Sequence, residues 1–247
     1  MSETLEGRLR ELRLAGMLAG YEELGELARR ESFSYEKYLE ELLERERQDR
    51  NQKKVERLAG QSRLPPEKTL ESFDRSRLPP KLTAQLNRLL EGQFVSRCEN
   101  VLAFGNPGSG KSHLLCALAH EMVRQGHPVL FRPCSLLVQD LLRAKRDLDL
   151  AKALKKLRHY AVLLIDDIGY VQQSREEMEV LFSLLADRYE RGSVLVTSNL
   201  AFSEWEKIFR DPMTTAAAID RLVHHSVILE LNLPSYRLDQ AKKRKKG

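Results

Sequence analysis

The sequence has few cysteines and no long apolar segment. Its three cysteines, Cys98, Cys116 and Cys134, are widely spaced and form no CxxC pair. A disulfide framework or a zinc site is therefore not expected, and a reducing cytoplasm suits the chain. No apolar run approaches the roughly 18 residues that a membrane span needs, and the acidic, amphipathic N-terminus does not resemble a secretory signal. We therefore expect a cytoplasmic protein without a membrane-spanning segment.

The chain carries a small excess of positive charge. Lysine and arginine outnumber aspartate and glutamate by 41 to 36, which gives a net charge of +5 and an isoelectric point near 9.1. This excess indicates a polyanionic partner only weakly, because many soluble proteins are equally basic. The basic tail at 242–246 has no apolar residue to bury and is predicted to be disordered. It would either hold DNA phosphates or act as a solvated tail.

Two regions with different secondary-structure patterns follow one another. Residues 1–68 repeat apolar residues at helical spacing and end in a charged helix at 44–57. Gly16 and Gly20 are expected to separate the first pair of helices. From about residue 80, helices alternate with predicted strands at 100–104, 129–132, 161–166, 194–197 and 227–231, which is typical of an α/β domain with a parallel sheet. We predict a helical domain at 1–68, an α/β domain at 69–234 and a basic tail at 235–247.

Residues 105–112 match the phosphate-binding pattern G-x-x-x-x-G-K-[ST] in full. This loop follows a predicted strand and opens a predicted helix, which is the context that the pattern requires. The glycines let backbone N–H groups face the phosphates, Lys111 brings positive charge to the β- and γ-phosphates, and Ser112 offers a hydroxyl to Mg²⁺. We predict that ATP is bound by Gly105, Asn106, Pro107, Gly108, Ser109, Gly110, Lys111, Ser112 and His113.

The most apolar predicted strand ends in two adjacent acids, Asp166 and Asp167. In a P-loop protein Asp166 would hold Mg²⁺ together with Ser112, and Asp167 would orient and deprotonate the attacking water. Two carboxylates at a strand end could instead cap a turn, and the residues alone leave that alternative open.

Together with residues 197–199 (Thr-Ser-Asn), these motifs resemble those of the AAA+ ATPases, which have a P-loop core with a parallel sheet flanked by helices. The resemblance implies that Asn199 senses the γ-phosphate and positions the water; Asn199 could instead cap the next turn. It also implies an arginine supplied by a neighbouring subunit, and Arg221 is the candidate. A surface ion pair from Arg221 to Asp220 or Glu230 is the alternative.

Four further segments resemble the IstB type of transposition helper ATPase, a close relative of the helicase loader DnaC. They lie at 12–17, 34–39, 69–74 and 235–237. The resemblance implies a homo-oligomer with ATP between subunits that assembles on double-stranded DNA and recruits a cognate transposase. We expect no helical lid after the last predicted strand, which would be a departure from a full AAA+ module. Arg237 is the candidate to replace a sensor arginine of that lid.

Other features allow more than one interpretation. The stretch 143–158 is rich in basic residues and is either part of a DNA-facing surface or an ordinary solvated helix; its candidate residues are Lys145, Arg146, Lys152, Lys155, Lys156 and Arg158. The N-terminal helices either contact a partner or only stabilise the ATPase. His224 and His225 are adjacent and should point in different directions on a helix or strand, so metal binding is not expected there.

The sequence thus supports one leading hypothesis and two alternatives. The leading hypothesis is a transposition helper that assembles on duplex DNA with ATP and is released or remodelled by hydrolysis. The second is a DnaC-like helicase loader that handles single-stranded DNA. The third, a metabolic kinase, would need an acceptor pocket, for which the sequence gives no sign.

Overall fold

The structure is a computed structural model that describes residues 4–169, 174–200, 204–205 and 212–236. Its contacts divide the chain into two compact units, Met1–Arg57 and Leu58–Gly247. The domain boundaries predicted at 68 and 234 stay predictions. Within the described ranges, no helix combines the length and the apolar character that crossing a membrane requires.

The N-terminal region is helical, as predicted. Helix α1 spans Leu5–Glu11, α2 spans Ala15–Arg30 and α3 spans Tyr35–Ser62. Thr4 caps α1, since its side chain accepts a hydrogen bond from the N–H of Gly7 at 3.3 Å. The predicted third helix and the charged helix that follows it form one continuous helix, α3.

Gly16 and Gly20 do not separate two helices, which corrects the sequence prediction. Both lie inside α2, and the break between α1 and α2 comes earlier, at residues 12–14. A Cβ on Gly16 would lie 2.7 Å from Cα of Glu46 in α3. The N–H groups of Gly16 and Met17 donate to Oε2 of Glu46 at 2.7 and 3.1 Å. The glycine is therefore a close-contact position between helices, where the Glu46 carboxylate satisfies the first N–H groups of α2.

The second unit contains a five-stranded parallel sheet, as predicted. The strands are β1 (Asn100–Phe104), β2 (Val129–Pro133), β3 (Val162–Asp166), β4 (Ser193–Ser198) and β5 (Ser226–Glu230). Their order in the sheet is β2-β3-β4-β1-β5, and all neighbouring pairs are parallel. Each predicted strand is confirmed, with ends that differ by one residue at most.

Among the described residues, this unit also contains helices and one short turn. They are a 3₁₀ turn (Arg75–Arg77), α4 (Pro80–Leu90), α5 (Gln93–Ser96), α6 (Lys111–Arg124), α7 (Cys134–Arg146), α8 (Leu150–Leu157), α9 (Arg175–Arg188) and α10 (Pro212–Val223). The capping box predicted from Ser174 and Glu177 is confirmed at the start of α9. A further helix, predicted to be capped by Ser203 and Glu206, lies outside the described residues.

The core of the unit lies around the central strands. Four consecutive residues of β3, Val162 to Ile165, are fully buried, and β4 is buried along its whole length. Such continuous apolar strands are typical of a parallel sheet that is covered on both faces. Because the strands are parallel, their carboxyl ends lie along one edge, and the loops that follow β1, β3 and β4 meet there.

We expect Gly16→Ala to destabilise the N-terminal unit. The added methyl would meet backbone atoms of α3, which cannot move as a flexible side chain does, so the free energy of unfolding should fall by about 1–3 kcal/mol. Gly25→Ala, in the same helix, is the matched control, since its Cβ would approach the nearest atom only to 3.8 Å. That change should raise the free energy of unfolding by up to about 1 kcal/mol. Denaturant unfolding of both variants measures the difference, and equal effects would contradict the close-contact role.

Candidate functional site

A cleft of about 390 Å³ opens where the loops after β1, β3 and β4 meet. It is lined by residues 107–113, by Asp167, Thr197 and Asn199, and by two flanking segments that include Phe73 and Tyr236. The carboxyl ends of these strands are aligned by register, because Phe104 pairs with Ser198 and Ile165 with Val196. The tertiary structure thus brings together motifs that lie far apart in the sequence.

The P-loop follows β1 and is shaped by glycines in the left-handed region. Gly105, Gly108 and Gly110 have φ angles of 147°, 80° and 97°. A Cβ on Gly108 would lie 2.2 Å from Oγ of Ser235, and one on Gly105 would lie 2.2 Å from the carbonyl oxygen of Leu231. The glycines are therefore required both by the conformation of the loop and by the segment 231–236 that packs against it.

The polar groups of the loop are suited to hold an anion. Lys111 begins α6 and is buried; its Nζ donates to the carbonyl oxygens of Gly105 and Asn106 at 2.8 and 2.9 Å. The hydroxyl of Ser109 is buried and has no hydrogen-bond partner among the described residues. A buried hydroxyl without a partner, next to a buried ammonium at the N-terminus of a helix, fits a phosphate group. The residues present therefore match the triphosphate that the motif predicts.

The two acids beside the loop are organised by Thr197 at the end of β4. Oγ1 of Thr197 donates to Oδ1 of Asp166 and accepts from the N–H of Asp167, both at 2.7 Å. Nδ2 of Asn199 donates to Oδ1 of Asp167 at 3.2 Å. Asp167 has a φ of 65°, a left-handed conformation that is uncommon for a residue with a side chain. The hydroxyl of Thr197 thus holds the carboxylate of Asp166 and the backbone N–H of Asp167. Only its position between these two residues in the structure reveals this role.

The environment of Asp167 raises the pKa of its carboxyl group. Burial raises the pKa of the Asp167 carboxyl most, the negative charge of Asp166 raises it further, and the ammonium of Lys111 lowers it. A carboxylate whose pKa is raised towards neutrality is a stronger base than an exposed one. Asp167 lines the cleft, whereas the Asp166 side chain lies beside it, held by Thr197.

The segment that precedes α4 forms one wall of the cleft. Nε2 of His113 lies 3.1 Å from the carbonyl oxygen of Thr69 and 3.1 Å from Oγ of Ser72, and the ring of Phe73 packs edge-on against His113. Burial lowers the pKa of His113, so its ring is neutral near pH 7. His113, predicted as a ligand of the nucleotide, therefore also fastens this wall to the start of α6.

A second part of the cleft wall comes from the segment after β5. The N–H of Tyr236 donates to the carbonyl oxygen of Gly108 at 3.0 Å. The guanidinium of Arg77 donates to the carbonyl oxygen of Pro234 at 2.6 Å and lies 5.2 Å from the ring centroid of Tyr236. Phe73, Arg77 and Tyr236 line the cleft although their sequence positions did not predict it. The sequence did contain an indication of this role, because Phe73 and Tyr236 lie in two of the segments that carry the family resemblance.

Arg221 lies away from the cleft of its own chain. It is on α10, where its guanidinium donates to the carbonyl oxygen of Ala217 at 3.0 Å and lies 4.7 Å from the ring centroid of Phe182. The alternative ion pair of Arg221 with Asp220 or Glu230 does not form in the part of the chain that the structure describes. Arg237, the candidate second sensor, lies outside the described residues.

The basic stretch around α8 is only partly free of ion pairs. Arg158 donates to both carboxylate oxygens of Asp187, and Lys145 pairs with Glu179 at 2.7 Å. Lys152 lies 3.5 Å from Asp149 in a more exposed contact. The three remaining candidates, Arg146, Lys155 and Lys156, are exposed and form no ion pair with a described residue. The ion pairs of Arg158 and Lys145 therefore explain these two charges without DNA. The other four basic residues, Arg146, Lys152, Lys155 and Lys156, remain candidates for contact with phosphates.

Comparison with known proteins gives a family match over almost the whole chain. Residues 7–244 match the family described as IstB-like ATP binding protein. An insertion sequence ATP-binding protein of Sinorhizobium fredii is 39% identical over 239 residues, which cover 96% of this chain and 80% of that protein. The insertion sequence IS21 ATP-binding protein of Pseudomonas aeruginosa is 40% identical over 240 residues, which cover 97% of this chain and 90% of that protein.

Solved structures of similar fold share less sequence. AMPPCP-bound DnaA from Aquifex aeolicus aligns with a TM-score of 0.56 and 17% identity, over 75% of this chain and 56% of that chain. The DnaC helicase loader aligns with a TM-score of 0.52 and 17% identity, over 66% of this chain and 96% of that chain. At these identities the likeness shows the fold alone, which is the predicted P-loop core of the AAA+ proteins.

We expect Thr197→Val to impair ATP turnover while leaving the fold intact, because valine keeps the shape of threonine but cannot hold Asp166 and Asp167. A loss of about 10–100-fold in kcat is typical when a group that orients a metal ligand is removed. Thr197→Ser retains the hydroxyl and should stay near the wild-type value. Steady-state hydrolysis over a range of Mg²⁺ concentrations measures the effect. Wild-type turnover in the valine variant would contradict the role of Thr197.

Proposed function

The chain belongs to the IstB-like ATP binding protein family and is a P-loop ATPase, and on that premise we propose that it assists the transposition of an insertion sequence. In this proposal the protein assembles with ATP on duplex target DNA and recruits its transposase, and hydrolysis releases or remodels the assembly. The observation that carries the transposition role is the similarity to insertion sequence ATP-binding proteins over almost the whole chain. The ATP hydrolysis that this role needs is supported by a cleft in which a complete P-loop, Asp167 and the polar end of β4 converge beside Asp166. The family resemblance predicted from the sequence is confirmed.

The phosphates would lie along the P-loop, beside the N-terminus of α6. Lys111 would exchange its hydrogen bonds to carbonyl oxygens for contacts with the β- and γ-phosphates, and Ser109 would gain a partner for its hydroxyl. Ser112 and Asp166 would hold Mg²⁺, which would supply positive charge to neutralise the charge that develops during phosphoryl transfer. The hydrogen bond from Thr197 keeps the Asp166 carboxylate in place for that role.

Asp167 is the proposed base for the attacking water. Its raised pKa makes the carboxylate a better proton acceptor, and the amide of Asn199 lies against it, where the γ-phosphate and the water would meet. The base is active only when ionised, so turnover should fall as the pH is lowered through the pKa of Asp167. Asn199 would orient the water, in agreement with the sensor role that the resemblance implies.

The resemblance implies an arginine finger, and Arg77, the arginine among the described residues that line the cleft, is already held by the carbonyl oxygen of Pro234 and the ring of Tyr236. Within the described residues that line the cleft, the basic side chains are Lys68, Arg77, Lys111 and His113. Arg221 lies on α10 outside this lining, so its proposed contact with the γ-phosphate has to reach the cleft of a neighbouring subunit. An arginine finger supplied in this way places ATP between subunits and makes hydrolysis depend on assembly. We therefore propose a homo-oligomer.

The proposed partners follow from the relatives and from charge. The two relatives above are ATP-binding proteins of insertion sequences. This supports a transposase as the protein partner and DNA as the molecule on which the protein assembles. Arg146, Lys152, Lys155 and Lys156 are the exposed basic residues proposed to contact phosphates. We place the protein in the cytoplasm, where its cysteines, which form no disulfide, would stay reduced.

Duplex-DNA binding with ATP, with ADP and without nucleotide tests the proposal. We expect large, salt-sensitive assemblies with ATP only, since assembly requires the γ-phosphate. Asp167→Asn should bind ATP and DNA normally but turn ATP over about 10²–10⁴-fold more slowly, which would trap the assembly. Lys111→Ala is the matched control and should bind neither ATP nor DNA. Gel filtration measures the size of the assemblies, and a DNA retardation assay measures DNA binding.

Two results would contradict the DNA part of the proposal. If the chain ignores duplex DNA with every nucleotide but binds a hexameric helicase or single-stranded DNA, it is a loader of the DnaC type. If turnover is unaffected by DNA and rises with a small metabolite, the kinase alternative is favoured. In either case the ATPase site remains.

We expect Arg221→Ala to remove hydrolysis without removing ATP binding, with a loss in kcat of about 10³-fold or more. A mixture of Arg221→Ala and Lys111→Ala subunits should recover activity, because an intact P-loop from one variant can meet an intact Arg221 from the other. Each variant alone stays inactive and serves as the control. If the mixture shows no recovery while the two variants still assemble together, the arginine does not act between subunits.

A further inference from the structure

Glu190, His224 and His225 bring one carboxylate and two imidazoles together at the amino ends of β4 and β5, the edge of the sheet opposite the cleft. Each residue offers one ligand atom, and the three atoms lie within 4.8 Å of one another. As neighbours in the sequence, the two histidines were expected to point in different directions, as they would on a helix or strand. They lie instead in the turn between α10 and β5, where their ring centroids are 4.1 Å apart. The reason for excluding a metal here therefore does not hold.

Contacts within this cluster already orient the side chains. Nδ1 of His224 lies 3.0 Å from the hydroxyl of Tyr189, and Nε2 of His225 lies 3.9 Å from Oε1 of Glu190. A histidine that binds a metal with one ring nitrogen is typically held by a hydrogen bond at the other. Tyr189 is placed to hold His224 in this way.

The backbone that carries the cluster is fixed to the core on both sides. Arg188, at the end of α9, is buried, and its guanidinium donates to the carbonyl oxygens of Tyr160 and Ser193 at 2.6 and 2.9 Å. The carbonyl oxygen of His225 accepts from the N–H of Asn100 in β1 at 2.7 Å. The two segments that supply the ligands therefore keep their spacing, and only side-chain rotation is needed to adjust the ligand atoms.

We propose that Glu190, His224 and His225 bind a divalent transition-metal ion of the Zn²⁺ class, with water as the remaining ligand. Two imidazoles and a carboxylate suit Zn²⁺, Co²⁺ or Ni²⁺, whereas Mg²⁺ and Ca²⁺ prefer oxygen ligands. Ligand atoms around tetrahedral Zn²⁺ are about 3.4 Å apart, given bonds of about 2.0–2.2 Å. The side chains of His225 and Glu190 are 52% and 60% exposed, so they can rotate to close the remaining gap, and solvent can reach the open position.

This site is separate from the ATP cleft and links two elements of the fold. It contains no residue that lines the cleft among those described. An ion here would join the end of α9 to the turn that follows α10, the helix that carries Arg221. The proposal does not depend on transposition or on DNA, because it rests only on the geometry of these side chains.

Titration of Zn²⁺ into the nucleotide-free, full-length chain in excess Mg²⁺ tests the site, with a competing chromophoric chelator to report affinity. We expect one Zn²⁺ per chain, a rise in Tm at stoichiometric Zn²⁺, and visible absorption bands of a four-coordinate ion when Co²⁺ replaces it. His225→Asn and Glu190→Gln should each weaken Zn²⁺ binding at least about tenfold. His159→Asn, which changes an exposed histidine outside the cluster, should leave the affinity unchanged.

The outcomes separate a metal site from a chance cluster. Loss of affinity in both ligand variants, with His159→Asn unaffected, supports the site. Three results would overturn it: no stoichiometric binding by the wild-type chain, wild-type affinity in both ligand variants, or a loss in only one of them. Since the altered side chains are exposed, an unchanged Tm of the metal-free variants verifies that the fold is intact.

Discussion

The parallel register of β3, β4 and β1 is the constraint on which the nucleotide site depends. It sets Ile165 opposite Val196 and Ala103 opposite Thr197, so the P-loop, the two acids and the Thr197 hydroxyl reach the same edge of the sheet. Successive side chains of a strand point to opposite faces, so a slip of one residue would turn the Thr197 hydroxyl away from Asp166. The burial of Val162 to Ile165 in β3 and of the whole of β4 opposes such a slip, because the slip would move every packed apolar side chain. Core packing thus supplies the precision that the 2.7 Å contacts of Thr197 require.

Close backbone approach is the second recurring theme, and glycine makes it possible in both units. In the N-terminal unit, Gly16 lets α2 meet the backbone of α3 and lets Glu46 accept two N–H groups. In the α/β unit, Gly105 and Gly108 admit the segment after β5, which closes over the P-loop through a hydrogen bond to Gly108. The same residue type therefore shapes a helix contact in one unit and a phosphate cradle in the other, because a missing Cβ removes both a clash and a conformational restriction.

The sequence predictions succeeded where the signal is local and failed where a neighbour in space decides. The capping box at Ser174 and the five strands were predictable, since turn residues and apolar runs are read along the chain. Gly16 was misread as a helix break because its partner, Glu46, lies in a different helix. The side chains of His224 and His225 were expected to point in different directions because neighbouring residues do so in a helix or strand. The two residues lie in a turn, where neighbouring side chains can come together. The role of Thr197 could not be predicted, since a threonine at a strand end is ordinary until Asp166 and Asp167 are seen on either side of its hydroxyl.

The sequence by itself determined the class of the fold, the phosphate loop and the acidic strand end, because each lies in contiguous residues whose spacing has a physical meaning. The family was identified differently, by the resemblance of several segments to a known family. Only the tertiary structure decided which distant segments form the walls of the cleft. It placed Phe73 beside the first turn of α6 and Tyr236 beside Gly108. It also decided that Asp167 is partly buried with a raised pKa, and that Arg158 is engaged by Asp187. Burial and electrostatic pairing depend on distances through space, and no pattern along the chain fixes those distances before the core has packed.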